Sequence, residues 1–461
     1  MPECLIDAAV GGVPIQVLRS GAAADPVLLP EARWRRWAEA NGFKGKAGQL
    51  CLLPDADGGL ECVVFAYDPT EAPWCFAGLA AALPDGRYRL RGDLDPWTKG
   101  QCALGWLLAG YRFERYKAAE PGGAQLVWPT GCERAEVERL ASAVALVRDL
   151  INTPAEDMGP GTLGGIAENL GRTYGAEVTS WVGNDLLDAN FPMVHTVGRA
   201  AEDPPRLVAL RWGSAGPHLA LVGKGVCFDS GGLDIKTAEG MKLMKKDMGG
   251  AAHALGLARL IMDARLPLRL TLVLPIVENA IAGNAFRPLD VLTARDGSSV
   301  EVGNTDAEGR LILADAIAYA CESEPDLLID FATLTGAARV ALGTEIPALF
   351  TNDDWVAERW QAFGIQEKDP VWRLPLHRDY RRHLDSKIAD IHSTGEDRFG
   401  GAIMAALFLQ HFLPEGQVWA HLDLMAWNRS ARPGRPLGGE AMGLRAAYAM
   451  IKQWCENKTG G

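Results

Sequence analysis

The sequence predicts an α/β protein in which a small N-terminal α/β domain is joined by a helix to a larger C-terminal domain with a mixed, mainly parallel sheet covered by helices. Three observations predict this class. The chain has 461 residues, more than one compact core usually contains. An amphipathic helical pattern separates two regions of the chain. Beyond residue 160, short apolar runs alternate with helical patterns, which is typical of parallel sheets buried on both faces.

The N-terminal domain is predicted over residues 1–132, and residues 133–155 are predicted to form the connecting helix. Within the N-terminal domain, residues 59–67 have the pattern of a strand and residues 99–111 that of a helix. The apolar residues of the connecting segment recur at alternating three- and four-residue spacing, which indicates one buried helical face. They are Val137, Leu140, Val144, Val147 and Ile151.

The C-terminal domain is predicted over residues 156–461. Its predicted strands are residues 207–210, 218–222, 270–274 and 326–330, and its predicted helices are residues 251–264 and 311–321. In open parallel sheets, ligands bind beyond the carboxyl ends of the strands. Residues 224–229 follow one such end and residues 333–336 follow another, so we expect a site there.

Composition excludes several classes of protein. With 48% apolar and 23% charged residues and a net charge of −12, the chain resembles an ordinary globular protein and not a general binder of nucleic acid or anionic membranes. The nine cysteines are scattered without a C-x-x-C pair, which favours reduced thiols. The first residues lack the basic start of a signal peptide, and no run approaches the roughly 18 uncharged apolar residues of a membrane span. We therefore expect a cytoplasmic protein.

Several familiar motifs are missing or lack their structural setting. Residues 159–164 read G-P-G-T-L-G, but they follow a polar loop and contain a proline, so dinucleotide binding is not expected. Ser230 lacks the G-x-S-x-G elbow of serine hydrolases, and no H-E-x-x-H zinc motif occurs. The dispersed histidines are interpreted as hydrogen-bonded residues of the fold and not as metal ligands. They include His195, His253 and His421.

Carboxylates and basic residues are concentrated in two stretches, residues 224–247 and 304–311. Seven of their residues, four acids and three bases, are the candidates for a site: Asp229, Asp247, Asp306, Glu308, Lys224, Lys236 and Arg310. Burying such charges is costly unless metals or one another compensate them. Two divalent cations held about 3.5–4 Å apart need several anionic oxygens, and these residues could supply them. The alternative is a buried salt-bridge network or a capped helix end.

The second stretch has local features of its own. Asp306 and Glu308 are two residues apart, so in an extended segment they would point to one side. Gly309 would then let the backbone turn into the following helix. Arg310 could be a counter-ion to this pair of acids or a donor to a developing oxyanion.

Four segments resemble the leucyl aminopeptidase, or cytosol aminopeptidase, family of dinuclear metallopeptidases. They are V-G-K-G-V-C-F-D-S-G-G-L-D-I-K at 222–236, M-K-K-D-M-G-G-A-A at 244–252, N-T-D-A-E-G-R-L at 304–311 and A-T-L-T-G-A at 332–337. The octapeptide at 304–311 is highly specific. The resemblance covers about residues 148–450 and makes residues 156–461 the expected catalytic domain, whereas the N-terminal domain resembles the family only in position and size.

The resemblance implies two divalent metal ions per subunit, with Zn or Mn expected. Lys224, Asp229, Asp247 and Glu308 would hold the tighter one, and Asp229, Asp306 and Glu308 would hold the more exchangeable one. Lys224 would then bind as a neutral amine, which an adjacent dication favours.

The resemblance also implies the reaction. The enzyme would hydrolyse the N-terminal residue from peptides with a free amino terminus through a metal-bridging hydroxide. Lys236 would polarise the scissile carbonyl and stabilise the oxyanion. Arg310 would hold a bicarbonate that acts as general base. The substrate amine would lie near Asp247, and the family implies a homohexamer.

The pocket for the first side chain departs from the family in one place. The resemblance assigns to it Met244, Thr333, Gly336 and the positions after H-L-D at 421–423. Those positions usually read I-A-G, but here the residues 424–427 are L-M-A-W, which places Met425 at the pocket. A longer side chain takes up space, so the preference is expected to shift away from bulky residues such as Leu. The alternative is that neighbouring segments move aside for the adaptable Met.

Two other functions stay open at this point. One is a metallodipeptidase of narrow specificity, such as a Cys-Gly hydrolase. The other is a DNA-binding or scaffolding hexamer, which the acidic net charge and the full set of metal ligands disfavour.

Overall fold

The structure is a computed structural model that describes residues 4–7, 11–21, 29, 31–118, 122–395 and 399–459. The chain divides into two compact units. The first unit contains Met1–Ala145, Gln366–Lys368 and Ser430–Leu437, and the second contains Leu146–Ile365, Asp369–Arg429 and Gly438–Gly461. The first boundary, between Ala145 and Leu146, falls within one helix. The domain limits at residues 132 and 155 stay a prediction.

The described part of the first unit contains a six-stranded sheet. The strands are β1 (Leu5–Ile6), β2 (Val13–Arg19), β3 (Leu50–Pro54), β4 (Leu60–Tyr67), β5 (Gly86–Arg91) and β6 (Ala124–Val127), in the order β1-β6-β5-β2-β4-β3. Only the β3–β4 pair is antiparallel among these described strands. The helices are α1 (Ala32–Ala40), α2 (Trp74–Ala82) and α3 (Pro96–Gly110). Strand β4 and helix α3 match the predicted segments 59–67 and 99–111 closely.

Helix α4 (Arg134–Asn152) occupies the predicted connecting segment. Its apolar face is buried, as the spacing predicted: Val137 is 5% exposed and Val147 is fully buried. The helix crosses the limit between the two units at Ala145.

The second unit contains a mixed sheet that is mainly parallel. The strands of this unit, some of which form smaller sheets, are β7 (Glu177–Val182), β8 (Arg206–Trp212), β9 (His218–Gly223), β10 (Gly225–Asp229), β11 (Arg269–Asn279), β12 (Val291–Thr293), β13 (Ser299–Glu301), β14 (Leu327–Ala332), β15 (Ala348–Thr351), β16 (Trp372–Arg373), β17 (Ile391–His392), β18 (Trp419–Asp423), β19 (Trp427–Asn428) and β20 (Gly438–Gly439). The main sheet has the order β16-β15-β18-β14-β9-β11-β8-β7, with β10 also paired to β11. Strands β9, β10, β11, β14 and β18 are joined by parallel pairs, and β7 and β8 add antiparallel pairs at one edge.

The helices of the second unit cover this sheet. They are α5 (Pro160–Thr173), α6 (Asp185–Asp188), α7 (Pro192–Gly198), α8 (Ala238–Met241), α9 (Gly249–Ala264), α10 (Glu308–Cys321), α11 (Gly336–Leu342), α12 (Asp354–Gln366), α13 (Gly401–His411) and α14 (Leu444–Thr459). Every residue of β9 and β14 is buried, and both α9 and α10 pack against β9. The predicted fold class is confirmed.

The cysteines and the lengths of the helices complete the description of the fold. Each of the nine cysteines, all within the described ranges, is a free thiol. Within the described residues, no helix combines the length and the apolar character that a membrane crossing requires.

Candidate metal and substrate site

Lys224 lies in the single-residue gap between β9 and β10, at the carboxyl end of the central strand. Its backbone N–H donates to the Phe331 carbonyl at 3.0 Å, and its own carbonyl accepts from the Ala251 N–H at 2.8 Å. A Cβ on Gly250 would overlap the Phe331 carbonyl oxygen, so only glycine lets α9 approach the sheet at this point. Strand and helix together therefore fix the Lys224 backbone.

Asp229 ends β10 and is held by the turn that follows. Its Oδ1 accepts hydrogen bonds from the Gly231 N–H and from Asn279 Nδ2, each at 2.9 Å. Gly231 has a φ of +89°, a conformation that favours glycine. Asn279 Nδ2 also donates to the Thr305 carbonyl at 3.0 Å, and so joins the two charged stretches.

Asp306 and Glu308 do not lie in an extended segment, so that prediction was wrong. Residues Thr305–Ala307 form a 3₁₀ turn, and Glu308 is the first residue of α10. The Asn304 side chain accepts from the Asp306 N–H at 2.7 Å and so favours the turn over an extended strand. Gly309 lies within α10, and its role is space: a Cβ there would collide with Cε of Lys224.

Asp247 reaches the site from the 3₁₀ segment Met244–Met248, which directly precedes α9. Its Oδ1 accepts from the Thr333 hydroxyl at 2.7 Å, and Thr333 follows β14. The ends of three neighbouring parallel elements thus supply Lys224, Asp229 and Thr333, as the position of the motifs relative to the strands predicted.

Asp229, Asp247, Asp306 and Glu308 form one acidic cluster around two lysines. Lys224 Nζ lies 2.6 Å from Asp247 Oδ2 and 2.9 Å from Glu308 Oε1. Lys236 Nζ lies 2.8 Å from Asp229 Oδ2 and also pairs with Asp306 Oδ1. The sequence-predicted acids and lysines therefore meet in one place.

The protonation of the acidic cluster reflects its burial. Desolvation, with the nearby charge of Asp229, raises the pKa of Glu308 to about 8 and that of Asp306 to about 6. Burial alone would lower the pKa of Lys224, but the carboxylates of Asp247 and Glu308 outweigh it and the net shift is upward. For Lys236, Asp229 and Asp306 likewise outweigh burial and raise the pKa.

Arg310 contacts a backbone carbonyl and not a carboxylate of the acidic cluster. Its Nη1 donates to the Ser393 carbonyl at 2.6 Å, and burial lowers the pKa of its guanidinium to about 10. Within the described ranges it forms no ion pair with a carboxylate, which disfavours the counter-ion interpretation. Its buried Nε has no hydrogen-bond acceptor there either.

A cavity of about 380 Å³ opens onto the acidic cluster. Among the predicted site residues it is lined by Lys224, Asp229, Lys236, Met244, Asp247, Asp306, Thr333 and Gly336. Glu308, which pairs with Lys224, and Met425, which is 8% exposed, are not part of this lining. The effect of Met425 on preference therefore stays a prediction.

Sequence reasoning missed several residues of the cavity wall. They are Thr237, Gly240, Lys246, Leu334, Thr335 and Arg339. The signal for Lys246 was its position directly before Asp247, within a motif already singled out. Burial lowers the pKa of Lys246 to about 8, against an upward effect of Asp247. The sequence gives a weaker signal for Arg339, because its position at the cavity depends on a helix that begins at Gly336.

The histidines and the glycine-rich segment that we interpreted as structural form hydrogen bonds within the fold. His253 Nδ1 lies 2.6 Å from the Gly249 carbonyl, and its Nε2 accepts from the Met442 N–H at 2.8 Å. His421 Nδ1 lies 2.6 Å from Asp330 Oδ1. In the G-P-G-T-L-G segment, the Gly161 N–H already donates to Asp203 at 2.6 Å, which leaves no role for it at a phosphate.

The donor set fits divalent cations. Single oxygens of Asp229, Asp306 and Glu308 lie within 4.8 Å of one another. Four buried oxygens accept no hydrogen bond among the described residues: Asp247 Oδ2, Asp306 Oδ1, Glu308 Oε1 and Glu308 Oε2. Three of these face a lysine at ion-pair distance without a directed hydrogen bond. Converging buried oxygens with unused lone pairs are what a metal centre requires.

Comparisons with known proteins agree with this site. Residues 145–448 match the family model described as the cytosol aminopeptidase family, catalytic domain, and residues 13–129 match the M17 aminopeptidase N-terminal domain. A probable cytosol aminopeptidase of Stenotrophomonas maltophilia (strain K279a) is 40% identical over 92% of this chain and 94% of its own length. Another, from Geobacter sp. (strain M21), is 39% identical over 82% of this chain and 79% of its own length.

Solved structures give the same result. The crystal structure of the cytosol aminopeptidase from Coxiella burnetii has a TM-score of 0.93 and 46% identity, covering 98% of this chain and 99% of that one. The bottromycin maturation enzyme BotP in complex with Mn has a TM-score of 0.86 and 33% identity, covering 96% of this chain and 99% of that one. The chain belongs to the M17 cytosol aminopeptidase family and is a metal-dependent aminopeptidase, a hydrolase.

Proposed function

We propose that the chain removes the N-terminal residue from peptides with a free amino terminus, using two divalent cations held by the acidic cluster. The observation that carries this proposal is the convergence of oxygens from Asp229, Asp306 and Glu308 within 4.8 Å, together with buried oxygens of the acidic cluster that have no directed hydrogen bond among the described residues. Lysine ammonium groups are the contacts that three of these oxygens have there, whereas a purely structural network would satisfy such buried charges with several donors.

The cation ligands divide into two sets. Lys224, Asp229, Asp247 and Glu308 would hold the tighter cation, and Asp229, Asp306 and Glu308 the more exchangeable one. When bound, the cations would supply Lewis acidity and activate a water molecule as the nucleophile near neutral pH. Zn or Mn suits these ligands, and the Mn complex of the similar BotP supports Mn.

Lys224 needs a different protonation state to act as a ligand. Its Nζ already lies within 3 Å of Asp247 and Glu308, so its position suits coordination. An ammonium has no lone pair to donate, however, and a dication bound to the same carboxylates opposes the ammonium charge. We therefore propose that Lys224 loses its proton when a cation binds.

Asp247 is proposed to orient the amino terminus of the substrate. It is buried, lines the cavity and is held at one oxygen by the Thr333 hydroxyl. A free α-amino group beside Asp247 would anchor the first residue, and an internal peptide bond has no such group to offer. This accounts for removal of one terminal residue instead of internal cleavage.

Lys236 is proposed to stabilise the transition state. Its ammonium lines the cavity, and Asp229 and Asp306 raise its pKa, so it stays protonated near neutral pH. From there it would donate a hydrogen bond to the scissile carbonyl oxygen, which gains negative charge as the tetrahedral species forms.

Arg310 is proposed to hold a bicarbonate ion that accepts the proton of the attacking water. Its buried Nε has no acceptor among the described residues, so the guanidinium retains an unused donor for a small anion. A homohexamer and a cytoplasmic location are proposed from the family resemblance and from the name cytosol aminopeptidase that the relatives carry.

Two variants test these roles. Glu308→Ala is expected to abolish hydrolysis of Leu-Gly-Gly and to lose bound metal. Lys236→Ala is expected to lower kcat about 10²–10³-fold, as removal of one oxyanion donor does elsewhere, with metal content unchanged. Acetylated Leu-Gly-Gly should not be cleaved by the wild-type enzyme. A fully active Lys236→Ala, or cleavage of the acetylated peptide, would refute the assignment.

A further inference from the structure

Lys246 is a buried cation that has no partner among the described residues. The residue is 1% exposed, and it lines the cavity beside the acidic cluster. Its backbone N–H donates to the Leu243 carbonyl, but among the described residues its ammonium has neither a hydrogen bond nor an ion pair. Lys224 and Lys236, in contrast, each contact two carboxylates.

Arg339 adds a second positive charge to the same wall. It projects from α11, and its Nη2 lies 3.5 Å from the position that a Cβ on Gly336 would occupy. It also lines the cavity, and within the described part of the chain its guanidinium pairs with no carboxylate. Two like charges on one wall repel each other, so they do not stabilise the fold.

Among the described residues, two carboxylates at this wall, those of Asp423 and Asp247, are already occupied. Asp423 Oδ1 accepts from the Leu334 and Thr335 N–H groups at 2.9 and 3.1 Å, and its Oδ2 accepts from the Thr335 hydroxyl at 2.6 Å. Asp247 is used by Thr333 at one oxygen and by Lys224 at the other. The described part of the chain therefore supplies no counter-ion of their own to Lys246 and Arg339.

A buried ammonium without a counter-ion is costly, and here the residue that carries it lines the cavity that a substrate would enter. The missing partner is therefore an anionic group of the ligand. A carboxylate suits both residues, since arginine binds it through two parallel hydrogen bonds and an opposite charge stabilises the ammonium form of lysine.

We propose that Lys246 and Arg339 form a carboxylate-binding subsite and that the enzyme favours peptides whose N-terminal residue is acidic. This inference rests on the proposed aminopeptidase function. The side chain of the first residue is the source we infer for the carboxylate, because Lys246 adjoins Asp247, where the substrate amine would lie. Met244, Thr333 and Gly336, which are predicted to surround that side chain, line the same cavity. A second source of the same chemistry is the terminal carboxylate of a dipeptide.

Matched substrates separate the two sources. Glu- and Gln-p-nitroanilide differ only in the charge of the first side chain, and Leu-Gly and Leu-Gly-amide differ only in the terminal charge. The wild-type enzyme is expected to have at least a tenfold higher kcat/KM for the Glu than for the Gln substrate, since a hydrogen bond to a charged group contributes about 1.5–3 kcal/mol. The ratio for the Leu-Gly pair should stay near one.

Lys246→Met and Arg339→Gln are each expected to lower the Glu/Gln ratio toward one. Lys242→Met, which removes an exposed lysine four residues earlier, is the control and should keep the wild-type ratio. Calorimetric binding of free L-glutamate and L-glutamine gives a readout independent of turnover, and glutamate should bind more tightly only when both basic residues are present. Lys246→Met should also melt at or above the wild-type temperature, because it replaces an unpaired buried charge by an apolar chain of similar length.

A Glu/Gln ratio near one in the wild-type enzyme, or an unchanged high ratio in both variants, would overturn the subsite. A variant-sensitive preference for Leu-Gly over its amide would overturn the assignment to the first side chain. If none of these substrates were hydrolysed, the proposed function itself would fail, whereas rapid hydrolysis of Leu substrates without charge selectivity would refute this inference alone.

Discussion

Two buried glutamates of the second unit have opposite surroundings. Glu440 is 4% exposed and Glu308 is 1% exposed. Glu440 accepts four hydrogen bonds: from Arg148 Nε and Nη2 at 3.0 and 3.1 Å, from Asn428 Nδ2 at 2.6 Å and from the Ala441 N–H at 3.0 Å. Among the described residues, Glu308 accepts none and has only an ion pair with Lys224.

This difference separates folding from function. The environment of Glu440 satisfies every lone pair that burial would otherwise penalise, so the residue stabilises the fold. The environment of Glu308 raises its pKa to about 8, because burial and the charge of Asp229 disfavour its ionised form. A residue kept in such surroundings serves a ligand that the chain alone does not supply.

The largest expected effect follows replacement of Glu308. Glu308→Gln should lower kcat/KM about a thousandfold or more and remove bound metal, since metal ions contribute several kcal/mol of transition-state stabilisation. Its melting temperature should equal or exceed that of the wild-type protein without metal, because the amide has no charge to desolvate. Steady-state kinetics, metal analysis and thermal melts check this. A large loss of stability would show that Glu308, like Glu440, stabilises the fold.

Replacement of Glu440 should give the reverse result. Glu440→Gln removes the charge that Arg148 pairs with in the protein interior, and breaking a buried ion pair costs about 3–5 kcal/mol. The free energy of unfolding, measured by urea denaturation, should fall by that amount. Metal content and kcat per folded molecule should stay near wild type. A selective loss of metal would contradict the purely stabilising role given to Glu440.

A smaller effect is expected at Gly309. Gly309→Ala would push a methyl group against the buried Lys224 side chain and move its amine. We expect metal affinity to fall about 10–100-fold, in the range seen when groups that orient a ligand are altered. Gly165→Ala is the matched control, because it also lies in a helix but has open space at its Cβ, and it should be neutral or slightly stabilising. Equal metal affinities in both variants would contradict the role given to Lys224.

The smallest effect is expected at Met425. If this side chain shapes the pocket, Met425→Ala should raise kcat/KM for Leu relative to Ala substrates about tenfold, within the range that small changes in pocket volume produce. Met450→Ala is the control. Met450 is also a buried methionine but lies in α14, so this substitution should lower stability without altering that ratio. An unchanged ranking for Met425→Ala would remove the hypothesis.

The second unit was predictable from sequence because its strands are continuous apolar runs. The predicted strand at 218–222 is β9, and the predicted segment at 326–330 overlaps β14. Since the carboxyl ends of parallel strands meet at one edge of a sheet, the predicted positions of Lys224 and Thr333 followed from the pattern alone. The specific octapeptide at 304–311 then joined Asp306 and Glu308 to them.

Other features depended on contacts that a sequence does not display. The 3₁₀ turn at Asp306 depends on the Asn304 side chain and on Thr305, whose hydroxyl donates to the Gly231 carbonyl more than seventy positions away in the sequence. The need for glycine at position 309 depends on a lysine from another strand end. Lys246 is recognised as a candidate only from the structure, where the described carboxylates of Asp247 and Asp423 have other partners.

The central claim is that the acidic cluster is a two-metal centre, and metal stoichiometry tests it most directly. Wild-type protein, Glu308→Gln and Glu440→Gln would each be dialysed against Mn²⁺ and assayed by inductively coupled plasma mass spectrometry. We expect two ions per chain in the wild-type protein and in Glu440→Gln, and fewer than two in Glu308→Gln. Two ions in all three proteins, or none in the wild-type protein, would contradict it.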